Sequence, residues 1–269
     1  MRFAATMTVL VCLLAVGGLR AQSSSTAQQI VNTMLTHEND PAEHRNRYMY
    51  LCEERSDRTG GHLWRERVVE TSLGKVRLLL EEDGKPLSAD RMAAEREKLR
   101  QIVAHAEEFR RREQAMKNDE EHAEQMLALL RKAFLFDEPR AEGNDLQIAF
   151  RPDPAYKTQS LEERVLHAMS GTVLVDRQTM QLHRIDGKMP ADVSMGFGLL
   201  GTVHAGSSFS TTHEREPGGD WKDATENTAI EGKAMLFKEI GKNEHVVHSE
   251  FIQLPPEISV TQAVVLLER

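Results

Sequence analysis

The chain has 269 residues, 40% hydrophobic and 28% charged, and carries a formal net charge of −8. That length suits one large domain or two small ones. The acidic balance argues against nucleic acid or anionic membrane as a partner.

The first segment reads as an export signal. Met1-Arg2 gives a positive start, residues 3–19 carry no charge, and Leu19-Arg20-Ala21 precedes a polar Gln22-Ser23-Ser24-Ser25 stretch. This is the order of regions in a secretory signal peptide, with cleavage expected after Ala21. The apolar run is short for a membrane span. Cys12 lies inside that run rather than just after the cleavage point, which argues against a lipid anchor. After cleavage Cys52 would be the sole cysteine, so no internal disulfide is expected. In a strand-like run, Cys52 reads as a buried, inert thiol.

A helix is expected over 25–37, capped by Ser25, with Ile30, Val31, Met34 and Leu35 at helical spacing. From Arg47 the period becomes two, with Tyr48, Tyr50 and Cys52 alternating against Met49 and Leu51. Strands follow over 63–71 and 75–82, divided by turns at Arg58-Thr59-Gly60-Gly61 and Leu73-Gly74, and Asp83-Gly84-Lys85-Pro86 closes the series. Ser88 then caps a charged amphipathic helix with Met92, Leu99, Ile102, Val103, Ala106 and Phe109 on one side. Lys117-Asn118-Asp119 predicts a break, and Ala123, Met126, Leu127, Leu130 and Phe134 mark a second helix. The apolar spacing holds no strict heptad, which favours packing on the domain over a coiled coil.

Beyond Pro139 the pattern is strand and turn. Strands are expected near 145–151, 167–176, 181–187, 194–203, 207–215, 222–231, 233–240 and 244–252, with a turn at Gly241-Lys242-Asn243. The expected fold class is α+β: a strongly curved antiparallel sheet, an open half-barrel, covered by an N-terminal helix and a helical insert. It would form a single domain over 22–269, with the insert at 88–134.

Enzyme motifs fail individually. His37-Glu38-Asn39-Asp40 meets Pro41 where a zinc protease needs its second His. His245 and His248 are three apart in a strand and face opposite ways. Ser72-Leu73-Gly74-Lys75 has Ser-x-x-Lys spacing, but across a break between strands rather than on a helix. Gly196-Phe197-Gly198-Leu199-Leu200 lacks the later glycine of a dinucleotide loop. No catalytic residue, metal site or cofactor is expected. More suggestive are Met195, Phe197 and Leu199, which would share one face of a strand whose other face is bare at Gly196 and Gly198. Met235 and Phe237 offer similar material. These five are candidate lining residues for an apolar ligand; the plainer reading is a curved strand packed beneath a helix.

The leader, the helix from Ala27 to His37, the strands from Tyr48, the Glu82-Asp83-Gly84-Lys85-Pro86-Leu87 turn, Gly171-Thr172-Val173-Leu174-Val175-Asp176 and Gly232-Lys233-Ala234-Met235-Leu236-Phe237-Lys238 together resemble the LolA/LolB-like superfamily of lipoprotein-sorting carriers. The resemblance covers most of the mature chain as a pattern and transfers no individual residue. It implies a half-barrel with an apolar cavity for acyl chains. It also implies a soluble, periplasmic, non-catalytic carrier of a lipid, lipoprotein or other apolar ligand. The alternative is an envelope structural or interaction module with a filled core and a protein partner.

Overall fold

A computed structural model describes residues 18–38, 40, 45–195, 201–234 and 238–269, with backbone alone for 18–25, 116–126, 161, 195, 234 and 238–240. Helix α1 (Gly18–Glu38) starts ahead of the expected Ser25. Leu19, Arg20, Ala21 and Gln22 are good helix formers that give no stop, so Ser25 lies inside the helix rather than capping it. Its Ala27, Val31, Met34 and Leu35 are fully buried.

Strands β1 (Arg47–Arg55), β2 (Trp64–Thr71) and β3 (Gly74–Glu82) form a meander. Asp83 and Gly84 both take positive φ, 51° and 72°, and turn the chain into the short β4 (Lys85–Pro86). Such a turn matches the twist of a hairpin. Helix α2 (Ala89–Ala104) is capped as expected: the Ser88 hydroxyl accepts from the Arg91 amide at 3.3 Å.

Helix α3 (Ala106–Leu127) runs through Lys117-Asn118-Asp119, so the expected break there is absent. The break falls at His105, whose φ of −124° and ψ of 47° leave the helical region. Polar residues are tolerated in a helix interior, whereas reorientation at His105 lets both Leu99 and Phe109 reach one core. The one-turn helix α4 (Leu130–Ala133) follows.

The remaining elements are β5 (Phe134–Phe136), β6 (Arg140–Glu142), β7 (Asp145–Pro152), α5 (Leu161–His167), β8 (Ser170–Asp176), β9 (Leu182–Lys188), β10 (Val193–Met195), β11 (Gly201–Val203), β12 (Ser208–Arg215), β13 (Trp221–Ala234), β14 (Lys238–Leu254) and α6 (Val260–Leu267). Several expectations change. The strand read from residue 167 begins at Ser170, because a Ser160-capped helix, α5, takes the preceding residues. The strand read over 194–203 is two strands running in opposite directions, with Met195 paired to Gly201. The Gly241-Lys242-Asn243 turn lies inside β14, where Glu231, Ile230 and Ala229 of β13 continue the ladder opposite it. Helix α6, which closes the chain, carries a Ser259–Gln262 capping box that the strand-dominated reading passed over.

The fourteen strands among the described residues belong to one open sheet whose main path runs β4-β3-β2-β1-β14-β13-β12-β9-β8-β7-β5, with β11 and then β10 branching from β13 and β6 from β7, and with antiparallel pairing throughout. The last long strand, β14, inserts beside the first, β1, so the opening meander and the later strands share a continuous ladder.

Residues directly opposite on neighbouring strands share a face, so one row can be followed across the sheet: Ile148, Val173, Ile185, Thr211, Glu226, Val246, Glu54 and Trp64. On this face, α1 and α4 pack over β5 and β7–β9, burying Leu130, Phe134, Ile148, Val173 and Ile185. The ring of Phe209 lies on the same face against Gly187; a Cβ there would come within 2.5 Å of it, which explains the glycine. The opposite face is covered at the other end of the sheet. There α2, the start of α3, and α6 bury Val69, Val76, Leu78, Leu99, Phe109, Ala263 and Val264. Helices therefore cover opposite faces at opposite ends, where both had been expected on one concave side.

Candidate functional site

Met195 is the last residue of β10 and pairs with Gly201, which pairs with Ala234, which pairs with Lys238. Phe197, Leu199, Met235 and Phe237 lie outside the described residues, as does the Met195 side chain.

The densest polar arrangement lies elsewhere, on the α1-side face of β1–β3. Alternation along β1 sends Tyr48, Tyr50, Cys52 and Glu54 to this face, and Cys52 sits directly opposite Glu66 of β2 and His248 of β14. Tyr50, Cys52, Glu54 and Glu66 are all buried, with Cys52 only 1% exposed. Among the described residues no helix covers them; their lid is the Ser56–Gly61 loop and long side chains.

Arg58 on that loop reaches back over both acids. Its Nε donates to both Glu54 carboxylate oxygens at 3.0 Å, and its Nη2 lies 2.6 Å from Glu66 Oε2. Ser56 Oγ donates to Glu54 as well, and Arg77 of β3 donates to Glu66 at 3.4 Å. The loop itself is locked by Thr59, whose hydroxyl accepts from the Ser56 amide at 3.0 Å and donates to the His62 carbonyl at 2.6 Å. Burial pushes the Glu54 carboxyl up, but hydrogen bonds from Arg58 and Ser56 outweigh it and hold the group below the ordinary carboxylate range.

Cys52, Glu54 and Glu66 present ligand-type atoms within 4.8 Å of one another. The donor set does not suit a cation, because two guanidinium groups already occupy the carboxylate oxygens and would repel a third positive charge. Nor is a thiol nucleophile formed. Burial pushes the Cys52 thiol up to about 11, which leaves it protonated near neutrality. Its cross-strand neighbour His248 turns Nδ1 to the Asp223 carbonyl at 2.9 Å instead. His245 and His248 lie on opposite faces, as their spacing implies; His245 Nδ1 meets Asn227 Oδ1 at 2.6 Å. Ser72 and Leu73 form the tight turn of the β2–β3 hairpin, so the Ser-x-x-Lys spacing has no helical context.

Between the two covered ends, the α1-side face of β12–β14 carries Thr211, Glu226, Thr228, Glu244 and Val246. The other face there is a platform of Thr172, Asp186, Ser210, Asn227 and His245 in one cross-strand row. Two open depressions lie over these central strands. One is lined by residues such as Arg184, Asp186, Lys188, Ser210 and Asn227; the other by Arg55, Asp57, Asn243 and His245. Most of the residues lining both are polar or charged, with Phe209 and Ala229 also in the first.

Sequence reasoning missed the ionic cluster because its acids looked like solvated strand charges. The signal was present: Glu54, Cys52 and Tyr50 sit at every second position, so an acid on the same face as two buried side chains had to find a partner.

Comparison with known protein families, curated proteins and solved structures finds no match to any of them.

Proposed function

We propose that this chain is an exported, non-catalytic envelope module that acts through surface contacts, its core filled by its own side chains. The observation that carries this reading is how the described cores are occupied. Beneath α1 and α4, Val31, Met34, Leu35, Ile148, Phe150 and Val173 are buried to 3% exposure or less. The central face between the covered ends is mostly polar, with Thr211, Glu226, Thr228 and Glu244 beside Val246. An acyl chain gains roughly 0.8 kcal/mol per buried methylene only where apolar walls receive it.

The reading includes the half-barrel curl. β2 and β13 are separated by β1 and β14, roughly 14 Å of ladder in a flat sheet. Yet Lys222 Nζ of β13 comes within 3.7 Å of Glu70 Oε2 of β2 and lies over the Tyr48 ring at 4.3 Å. Export rests on the leader sequence, and the absence of a membrane-crossing helix among the described residues accords with it.

A carrier of the LolA/LolB kind is the second reading, and the sequence of residues 195–200 and 235–237 is what favours it. Native mass spectrometry of protein gently purified from an envelope extract, followed by lipid extraction, separates the two. A clean protein mass beginning at Gln22 supports the filled module. A stoichiometric co-purifying lipid overturns it and restores the carrier.

A further inference from the structure

We propose that Glu226 makes the central seam of the sheet, β12–β13–β14, acid-tightened: the seam holds more firmly at mildly acidic pH than at mildly alkaline pH. The geometry comes first. Glu226 sits mid-row on the α1-side face, opposite Thr211 of β12 and Val246 of β14, half-buried, with no hydrogen bond or ion pair of its own among the described residues. A carboxylate in that position has lost part of its water without gaining a donor.

The groups facing it make matters worse. Asp223 on the same strand and Glu244 on β14 add negative charge, while Lys242 of β14 is engaged with Glu244 at 2.7 Å and Lys75 reaches toward it from β3. On β12, His213 Nε2 lies 3.0 Å from Asp223 Oδ1; on β14, His248 is tied to the Asp223 carbonyl. Arg77 of β3 acts on His248 and is paired to Glu66. The two lysines fall short of offsetting burial and the two acids.

Burial first, then Asp223 and Glu244, push the Glu226 carboxyl up to about 7. An unfolded glutamate titrates near ~4.3, so between those values the folded chain takes up a proton that the unfolded chain does not. The penalty is absent below the unfolded value, grows across the window from ~4.3 to about 7, and is complete above it. His248 works in the opposite sense, since burial lowers its pKa and stability is lost as pH falls below the ordinary histidine range. A variant at Glu226 isolates the acid term from the histidines.

The test is urea unfolding of the full chain and of Glu226→Gln across pH 5 to 8. The amide keeps the shape and removes the titration. At pH 8 the variant is expected to raise the folding equilibrium constant by about tenfold, equivalent to one pKa unit, with solvent screening at this partly buried site taken into account. Near pH 5 the two proteins should converge. Parallel profiles, or a variant weaker than the parent at pH 8, overturn the proposal. Glu244→Gln gives a second readout: with one facing carboxylate gone, the Glu226 carboxyl carbon observed by NMR should titrate at lower pH, and an unmoved midpoint also counts against it.

Discussion

Strands β1–β3 are buried on both faces, by opposite chemistries. On one face Val69, Val76 and Leu78 are sealed by Leu99 of α2, Phe109 of α3 and Val264 of α6. On the other, a small apolar cluster of Tyr48, Tyr50, Cys52, Val68 and Val246 adjoins Glu54 and Glu66, which Arg58, Arg77 and a short loop seal with no helix among the described residues above them. The apolar face gains stability in proportion to area and tolerates loss in increments. The ionic face is conditional: Arg58 bridges the two acids, and its loss leaves Glu54 with Ser56 and Glu66 with Arg77 alone.

That contrast orders the expected effects of substitution. Arg58→Ala should be the most damaging, costing about 3–5 kcal/mol in chemical denaturation, because it leaves Glu54 and Glu66 buried side by side. A loss within experimental error would mean the loop simply opens and hydrates them. Leu99→Ala, on the apolar face, should cost about 3 kcal/mol through transfer and cavity terms. Leu99→Met should recover most of that, whereas Arg58→Lys should recover little, because a lysine cannot bridge two carboxylates as a planar fork does. Equal recovery by the two conservative changes would erase the distinction between the faces.

Ser259→Ala removes the hydroxyl that accepts from the Gln262 amide at 3.2 Å and should cost about 1 kcal/mol, read as loss of α6 protection in hydrogen exchange. Acid titration should show the smallest effect. The folded pKa of Glu54 is depressed, so its contribution is present above the ordinary carboxylate range and is lost as pH falls through the lower folded value. A protein with Glu54, Arg58 and Glu66 replaced together by apolar residues should show a shallower decline over that range. An unchanged acid limb would place the titrating groups elsewhere.

Much of the local structure was legible. The Ser88 cap, the Asp83-Gly84 turn, the alternation of β1 and the burial of Val31, Met34 and Leu35 all follow from spacing and cap chemistry within a few residues. Glycine misled in two ways. Gly241 marked no turn because its partner strand continues opposite it, while 194–203, read as one strand, reversed direction. A glycine permits a bend but does not require one, and pairing with neighbours decides.

Taken alone, the sequence determined most element types, though not helices α5 and α6, together with the α+β composition and mainly antiparallel pairing. Those follow from short-range periodicity and turn chemistry. Tertiary structure alone decided that β14 lies against β1, that helices cover opposite faces at opposite ends, and that Glu54, Glu66, Arg58 and Arg77 meet in one buried cluster. Each of these depends on contacts between residues distant in the chain, and the pairing that brings them together leaves no mark on the local pattern of either partner.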